Sequence, residues 1–376
     1  MLLSREGALA SSAGHRAPEL PPWRSVAAGP AVAVVTLLAA LLATQAAGVP
    51  LRDPDHVAAK YLALVGFSVL VMIGLDVVVR AAHRSGTRTP SRAAMHSVRC
   101  ERWSWYRGLA VGSALVGFYV SYLAYRNLKS MVPLLRPGEL FDRQLAGFDR
   151  VLFGGSDPAA LLHSLLGTGF QTQILSAVYV VFIVLLPLSL ALALVFSHNL
   201  PGGLVFTTAL SINWPLGAAS YLLIPALGPV YAAPAPFADL PASEASHLQG
   251  VLLADRLEFL RDPLAEGTAQ AIAAFASVHI SMIFTAVVAA HLLGLRQRLR
   301  VGLWVLLVAT TVATVYLGWH YVIDDLAGVV LALVAFAVAR ALTGFDLGHS
   351  RRLSTSKAKG RDPARELVHG GGGLGG

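Results

Sequence analysis

Residues 172–196, TQILSAVYVVFIVLLPLSLALALVF, form a run of 25 residues without a charged side chain. A helix needs about 20 apolar residues to cross the hydrocarbon core of a bilayer, so this run predicts a transmembrane helix. Similar runs occur on both sides of it. Together the candidate spans lie near residues 30–49, 59–79, 108–126, 172–196, 203–226, 278–296, 301–319 and 324–344. The sequence therefore predicts an all-α, polytopic membrane helix bundle with about eight transmembrane helices.

The composition supports the same fold class. Hydrophobic residues make up 55% of the 376 residues and charged residues only 13%, against about 25% charged in an ordinary soluble domain. The second span carries Asp76 and the last carries Arg340, each near a span end, where polar side chains reach the headgroup layer. The single cysteine, Cys100, excludes an intramolecular disulfide and any multi-cysteine zinc or iron–sulfur site.

The placement of basic residues explains the net charge of +8. With a cytoplasmic N-terminus, 20 of the 29 Lys and Arg residues fall in cytoplasmic segments and nine fall on the other side, as the positive-inside rule requires. The membrane topology therefore explains the positive net charge, and nucleic-acid binding is not needed to explain it. The 25 arginines against four lysines, with abundant alanine, indicate a high-GC bacterium and hence a bacterial plasma membrane.

Segments outside the spans divide the chain further. Residues 1–28 are predicted to be a basic cytoplasmic segment, residues 29–107 two transmembrane helices with a basic cytoplasmic loop, and residues 346–376 a disordered tail. Between spans, FDRQLAGFDRVLFGG (141–155) places apolar residues at helical spacing with charges between them, which predicts an amphipathic helix on the outer membrane surface. Those apolar positions are Phe141, Leu145, Phe148, Val151 and Leu152.

Two histidines lie at matching ends of neighbouring spans. His279 opens the sixth span and His320 follows the seventh, and the arginine turn near Arg298 lies 19 residues after the first and 22 before the second. Each leg covers roughly 30 Å, so both histidines return to one face. Asp324 follows His320 by four residues, and if the eighth helix has already begun at His320 the two share one helical face, where a carboxylate can hold one ring nitrogen and fix the tautomer. A structural His–Asp pair is the alternative interpretation.

Two short motifs here resemble signatures of a known family. FASVHIS (275–281) and GWHYVIDDLAG (318–328) are similar to the second and third motifs of the type 2 phosphatidic acid phosphatase superfamily, in the branch of the inositolphosphotransferases that make inositol phosphorylceramide. The third motif, His-Tyr-x-x-Asp-x-x-Ala-Gly, is matched in full at His320–Gly328, whereas the second has Ala276 in place of its usual proline. The resemblance implies a membrane catalytic domain over residues 108–345 with that family's six-helix core.

The first motif of the superfamily, Lys-x6-Arg-Pro, is matched by Lys129, Arg136 and Pro137. In simple six-helix members it comes just before the helix that opens with the second motif, but two predicted spans intervene here. Two interpretations stay open: the two cations bind substrate phosphate, or they contact lipid headgroups.

The resemblance also implies a mechanism. His320 attacks phosphorus to form a phosphohistidine, Asp324 orients it, and His279 protonates the leaving alcohol and later activates the acceptor. Substrate phosphate would contact Ser277, Arg136 and Lys129. Tyr321 joins this binding set, with membrane anchoring beside Trp319 as its other interpretation. No metal or other cofactor is implied.

The expected function is transfer of a phospho-group between a lipid phosphate or phosphodiester and an alcohol such as inositol. The alternative is a lipid phosphatase, with water as acceptor and phosphatidate or a polyprenyl phosphate as substrate. A non-catalytic scaffold or transporter fits less well, because no broken-helix pattern is present. The expected partners are the lipid phosphate, a polyol or water, and membrane lipids, at an extracytoplasmic active site. The oligomeric state is left open.

Overall fold

The computed structural model describes residues 22–53, 57–196, 199–265, 267 and 269–346. Within these ranges the chain forms helices and no strand. Most of the predicted N-terminal segment 1–28 and all but one residue of the predicted tail 346–376 lie outside the described residues.

Thirteen α-helices follow one another along the described chain. They are α1 (Trp23–Ala47), α2 (Val57–Ser85), α3 (Arg92–Arg102), α4 (Trp105–Leu135), α5 (Asp142–Leu152), α6 (Pro158–Leu166), α7 (Phe170–Ala191), α8 (Leu200–Leu223), α9 (Pro229–Ala232), α10 (Glu244–Arg261), α11 (Val278–Leu292), α12 (Gln297–Tyr316) and α13 (Val322–Thr343). A π-helical turn, Leu192–Phe196, extends α7, and a 3₁₀ turn, Ala235–Phe237, follows α9.

Each of the eight predicted spans corresponds to one helix of this set. Six are long and apolar enough to cross a membrane: Trp23–Ala47, Leu62–Ser85, Trp105–Leu135, Phe170–Phe196, Gln297–Tyr316 and Val322–Thr343. Of the other two, α11 has only 15 residues, and α8 is long but carries more glycine and polar residues. The prediction of a multi-pass helical membrane protein is confirmed.

Helix α8 tolerates its polar residues because it lies inside the bundle, packed against α1, α4, α11 and α13. The fully buried Asn213 donates to Thr285 Oγ1 at 3.0 Å and accepts a hydrogen bond from Ser281, both on α11. Interhelical hydrogen bonds of this kind satisfy polar groups that lipid cannot. This explains why α8 is less apolar than the helices that face lipid.

Close helix packing in the bundle depends on small residues. A Cβ atom on Gly117 of α4 would lie 2.8 Å from the Gly29 carbonyl carbon of α1. The two helices therefore approach backbone to backbone, as small residues allow in membranes.

The helices alternate in direction, so the bundle has two distinct ends. We call the end that carries Ser277, His279 and His320 the histidine end, and the end that carries Arg80 and Arg102 the arginine end. Helices α5, α6, α9 and α10 all lie at the histidine end, in the two long connections before α7 and before α11.

Helix α5 forms where the sequence predicted an amphipathic helix. Phe148, Val151 and Leu152 are exposed, with 61%, 80% and 56% of their surface accessible. Leu145 instead packs against the loops that surround Tyr321. The helix therefore has an exposed apolar face and a face that belongs to the protein core; its location on a membrane surface stays a prediction.

Asp76 differs from the sequence-based expectation. It does not reach the surface at a headgroup level; only 2% of it is exposed, and it binds Arg80 Nε at 2.7 Å and Arg102 Nε at 2.6 Å. The guanidinium of Arg102 also donates to the Val195 carbonyl at the end of α7. Arg102 belongs to the short connecting helix α3. The hydropathy of the spans alone does not predict where this arginine lies.

Candidate active site

The structure brings the two predicted histidines together. His279 lies in the first turn of α11, and His320 lies in the turn between α12 and α13. Their ring centroids are 6.3 Å apart. The prediction that the imidazoles share one level and lie close together is confirmed.

Direct contact between the start of α11 and the start of α13 holds this arrangement. Ser277 is the N-cap of α11, and its backbone N–H donates to the Asp324 carbonyl at 3.0 Å. One turn further along α13, a side chain on Gly328 would overlap the Ser277 carbonyl oxygen. Only glycine lets the two backbones meet here, which gives a physical reason for the last residue of the third motif.

Asp324 lies beside His320, as the four-residue spacing predicted. Its Oδ2 is 3.4 Å from His320 Nδ1 and accepts a hydrogen bond from the Tyr321 N–H at 2.9 Å. Burial lowers the pKa of His320 to about 4, and the nearby carboxylate of Asp325 opposes that shift. The imidazole is therefore neutral at pH 7, the state in which one ring nitrogen keeps a lone pair.

Asp325 lies next to Asp324 and is not one of the residues to which the motif resemblance assigns a role. It is buried, and its Oδ2 accepts a hydrogen bond from Thr314 Oγ1 of α12 at 2.8 Å. Its negative charge raises the pKa of His320 against the effect of burial. Asp325 therefore favours positive charge on this imidazole, while Asp324 lies against its Nδ1.

Aromatic rings from α7 fix the orientation of His279. Tyr179 stacks on the imidazole with centroids 4.7 Å apart, and Phe182 lies at 4.6 Å. Tyr179 also stacks on Trp319, with ring centroids 4.8 Å apart and the planes nearly parallel. Trp319 is thus buried against the site and does not serve as a membrane anchor, the alternative interpretation of the sequence. No local pattern in the apolar α7 sequence marks these rings.

The two histidines open onto a cavity of about 440 Å³. Rings from α4, α7, α8 and the long loops dominate its wall: Phe118, Tyr119, Tyr122, Tyr125, Tyr179, Phe182, Trp214, Tyr221, Tyr231 and Trp319. Along α4 the wall extends from Phe118 to Lys129, a depth of about 16 Å at 1.5 Å per residue. The cavity therefore reaches from the histidine end towards the middle of the bundle.

Lys129 is the predicted cation that the structure places at this cavity. Its Nζ lies 5.0 Å from the centroid of the Tyr221 ring and 5.8 Å from that of Tyr125. Among the described residues it forms no ion pair. An ammonium group held over two phenol rings remains available to an anionic ligand.

Arg136 does not line the cavity, contrary to the expectation that it acts together with Lys129. It is the C-cap residue of α4, and its guanidinium donates to the Leu222 carbonyl at 2.7 Å and pairs with Glu139. The physical reason is that the last carbonyl groups of α8 lack helical partners and attract a cation.

Ser277 and Tyr321, both predicted to bind substrate, have their polar groups engaged within the protein. The Ser277 hydroxyl accepts from the Ile280 N–H at 3.5 Å, and no part of the residue is exposed. The Tyr321 hydroxyl donates to Asp142 at 3.2 Å, on the side of α5. Neither residue lines the large cavity.

Comparison with known proteins identifies the superfamily of this chain. The model of the PAP2 superfamily matches residues 143–338, just over half of the chain. The chain belongs to the PAP2 superfamily. No curated protein and no solved structure gives a match. Residues 143–338 include both histidines and Asp324 but neither Lys129 nor Arg136. Membership implies an enzyme of the phosphatase type, with phosphatase or phosphotransferase activity towards lipid phosphates.

Proposed function

We propose that this PAP2 superfamily member is a phosphotransferase that acts through a phosphohistidine on His320. The observation that carries the proposal is the pairing of two imidazoles, 6.3 Å apart, at the wall of one cavity. Asp324 lies against Nδ1 of His320, so the tautomer with its proton on Nδ1 leaves the Nε2 lone pair for attack.

The residues of the site account for each bond and each proton in both halves of the reaction. The Nε2 lone pair of His320 forms a bond to phosphorus while the bond from phosphorus to the leaving oxygen breaks, and His279 gives its proton to that oxygen. In the second half, neutral His279 takes a proton from the acceptor hydroxyl, which attacks phosphorus and releases His320. Asp324 and Asp325 stabilise the positive charge that His320 carries between these steps.

Lys129 stabilises the negative charge of the transferred phospho-group. Its ammonium has no carboxylate partner among the described side chains. Ser277 and Tyr321 act by holding the backbone of the site, since their hydroxyls are engaged there. Arg136 is assigned to the α4–α8 contact. These assignments keep the two histidines and Asp324 of the sequence-based mechanism and revise its phosphate-binding set.

For the acceptor, we propose an alcohol such as inositol or another polyol, with a lipid phosphate or phosphodiester as the other reactant. The support comes from the motif resemblance to the inositolphosphotransferase branch and from the size of the cavity, which lies within the range of small-molecule sites. Its aromatic wall suits the apolar faces of a cyclic polyol as well as a lipid chain. Hydrolysis by water is the second candidate, since family membership permits it equally.

One experiment separates the two acceptors. Purified protein would be mixed with phosphorus-labelled lipid substrate, with and without a polyol, and the products resolved by chromatography. Transfer predicts label on the alcohol and little free phosphate when the polyol is present. Release of free phosphate at the same rate under both conditions would establish the phosphatase instead.

We also propose that the histidine end faces the extracytoplasmic side of a bacterial plasma membrane, as the distribution of basic residues indicates. The native Cys100 is exposed at the arginine end and should resist impermeant thiol reagents added to intact cells. A Ser156→Cys variant in a Cys100→Ser background, exposed at the histidine end, should react. The reverse labelling pattern would place the active site in the cytoplasm.

A further inference from the structure

Two buried carboxylates of α5 lie next to the site without a part in the mechanism above. Asp142 and Asp149 are 7% and 3% exposed. They belong to the repeated triplet Phe-Asp-Arg at 141–143 and 148–150, and their spacing of seven residues places both on one helical face. That face points into the protein, on the opposite side from the exposed Val151.

Asp149 binds the first turn of α13. Its Oδ2 accepts from the Val322 N–H at 2.7 Å and its Oδ1 from the Ile323 N–H at 3.0 Å. The N-cap residue of α13, Tyr321, makes no side-chain capping hydrogen bond of its own. A carboxylate from a distant helix therefore caps the helix whose first turn carries Asp324.

Asp142 binds the loop that supports the other side of His320. It accepts from the backbone N–H groups of Leu227 and Gly228 at 3.0 and 2.9 Å, and from the Tyr321 hydroxyl at 3.2 Å. That loop in turn meets the turn of His320: the Val230 N–H donates to the Gly318 carbonyl at 2.9 Å. The backbone on both sides of His320 is thereby connected to a single short helix.

We propose that Asp149 and Asp142 are positioning residues that set the geometry of His320 and Asp324. Because α5 holds residues 321–323 directly and Gly318 through the 227–230 segment, His320 cannot shift relative to Asp324 without breaking these hydrogen bonds. The inference rests on the proposed function, since it assumes that His320 attacks phosphorus. A displacement of about 1 Å at a reacting group can cost roughly 100-fold in rate.

The chain offers a matched control for Asp149. Asp157 also accepts two backbone N–H groups at a helix start, those of Ala159 at 2.8 Å and Ala160 at 3.1 Å, but the helix it caps is α6. Its negative charge lies close enough to Asp149 to affect that carboxyl. A fall in kcat that comes only from the loss of a helix cap, or of a nearby charge, should therefore appear when either Asp149 or Asp157 is replaced. A fall in kcat that comes from the loss of positioning should appear only when Asp149 is replaced.

The experiment compares Asp149→Asn, Asp149→Ala and Asp157→Ala in the full-length protein by kcat, KM, the rate of phosphohistidine formation in rapid quench, and Tm. We expect kcat and the rate of phosphohistidine formation to fall about 10- to 100-fold for Asp149→Ala, with KM nearly unchanged. Asp149→Asn keeps the shape and one acceptor oxygen, so a smaller fall in the same two rates is expected. Asp157→Ala should keep the wild-type kcat.

Wild-type kcat in both Asp149 variants, or equal losses of kcat in the Asp149→Ala and Asp157→Ala variants, would overturn the inference. His320→Ala, measured alongside, distinguishes failure of the positioning role from failure of the proposed function. If that variant is inactive while the Asp149 variants are fully active, only the positioning role fails. If it remains active, the proposed function itself fails.

Discussion

The two ends of the bundle bury a carboxylate in different ways. At the arginine end, Asp76 lies within 2.7 Å of guanidinium nitrogens from Arg80 and Arg102. At the histidine end, Asp324 is equally buried, but its nearest basic group is the imidazole of His320 at 3.4 Å, which is neutral at pH 7. The first carboxylate is already neutralised by permanent charges, whereas the second can respond to a charge that appears later.

This difference shows how a membrane protein separates stability from chemistry. Removing one partner from a buried ion pair leaves an uncompensated charge, so such pairs are costly to break and keep helices in place. A carboxylate beside a neutral imidazole gains its full interaction only when the imidazole becomes positive, as it does on attacking phosphorus. Among the described residues, Asp324 Oδ1 has no hydrogen-bond partner, as expected of a group arranged for that later charge.

The largest expected effect comes from removing the nucleophile at the histidine end. His320→Ala should abolish turnover of every phosphoester, however good its leaving group, while the protein stays folded because Asp149 still caps α13. Turnover and circular dichroism melting of purified protein would be compared. If the variant kept wild-type turnover, the chemistry would not depend on His320, and the contrast between the histidine end and the arginine end would fail.

Removal of the second histidine should depend on the leaving group. His279→Ala should lose on the order of 10² to 10⁴ in rate with an alkyl lipid phosphate, because the departing alkoxide needs a proton. With an aryl phosphate, whose phenolate leaves unprotonated, the loss should be much smaller. The ratio of the two losses is the measurement. Equal losses with both esters would mean that His279 binds substrate and does not transfer the proton.

Lys129→Ala should have a smaller effect than either histidine variant, because it removes only a group that stabilises negative charge on the substrate. We expect kcat/KM to fall roughly 10- to 100-fold, as for one charged hydrogen bond worth about 1.5–3 kcal/mol. Inhibition by phosphate or vanadate should weaken in parallel. Arg136→Ala should change both less, because its guanidinium binds Leu222 and Glu139. Arg143→Ala, an exposed arginine on α5, controls for the general surface charge, and a loss equal to that of Lys129→Ala would argue against a specific site.

The smallest effect on catalysis is expected at the arginine end. Asp76→Asn should lower the free energy of unfolding by about 3–5 kcal/mol, the cost of breaking a buried ion pair by removing one partner. The kcat of the molecules that remain folded should stay at the wild-type value. Thermal unfolding in detergent and turnover per folded molecule test the two statements separately. A fall in kcat without a fall in stability would show that the two ends are coupled.

The sequence by itself determined the segments and their order. Hydropathy along the chain located the eight helices that run between the two ends of the bundle, because the requirement for about 20 apolar residues is a local property of each segment. The four-residue spacing placed Asp324 beside His320, and the lengths of two consecutive spans brought His279 to the same level. The helical periodicity of 141–155 likewise predicted α5. Each of these inferences uses only neighbours within one or two helices.

Only the tertiary structure decided which faces of those helices meet. It placed Tyr179 on His279, directed Arg136 to α8 and away from the cavity, and paired Asp76 with an arginine from a separate short helix. It also brought Asp149 to the first turn of α13, which lies more than 170 positions further along the chain. Such contacts depend on the rotation and depth of distant helices, which are set by small residues such as Gly117 and by the packing of the whole bundle. Hydropathy is nearly uniform around the long apolar helices and carries no information about that rotation.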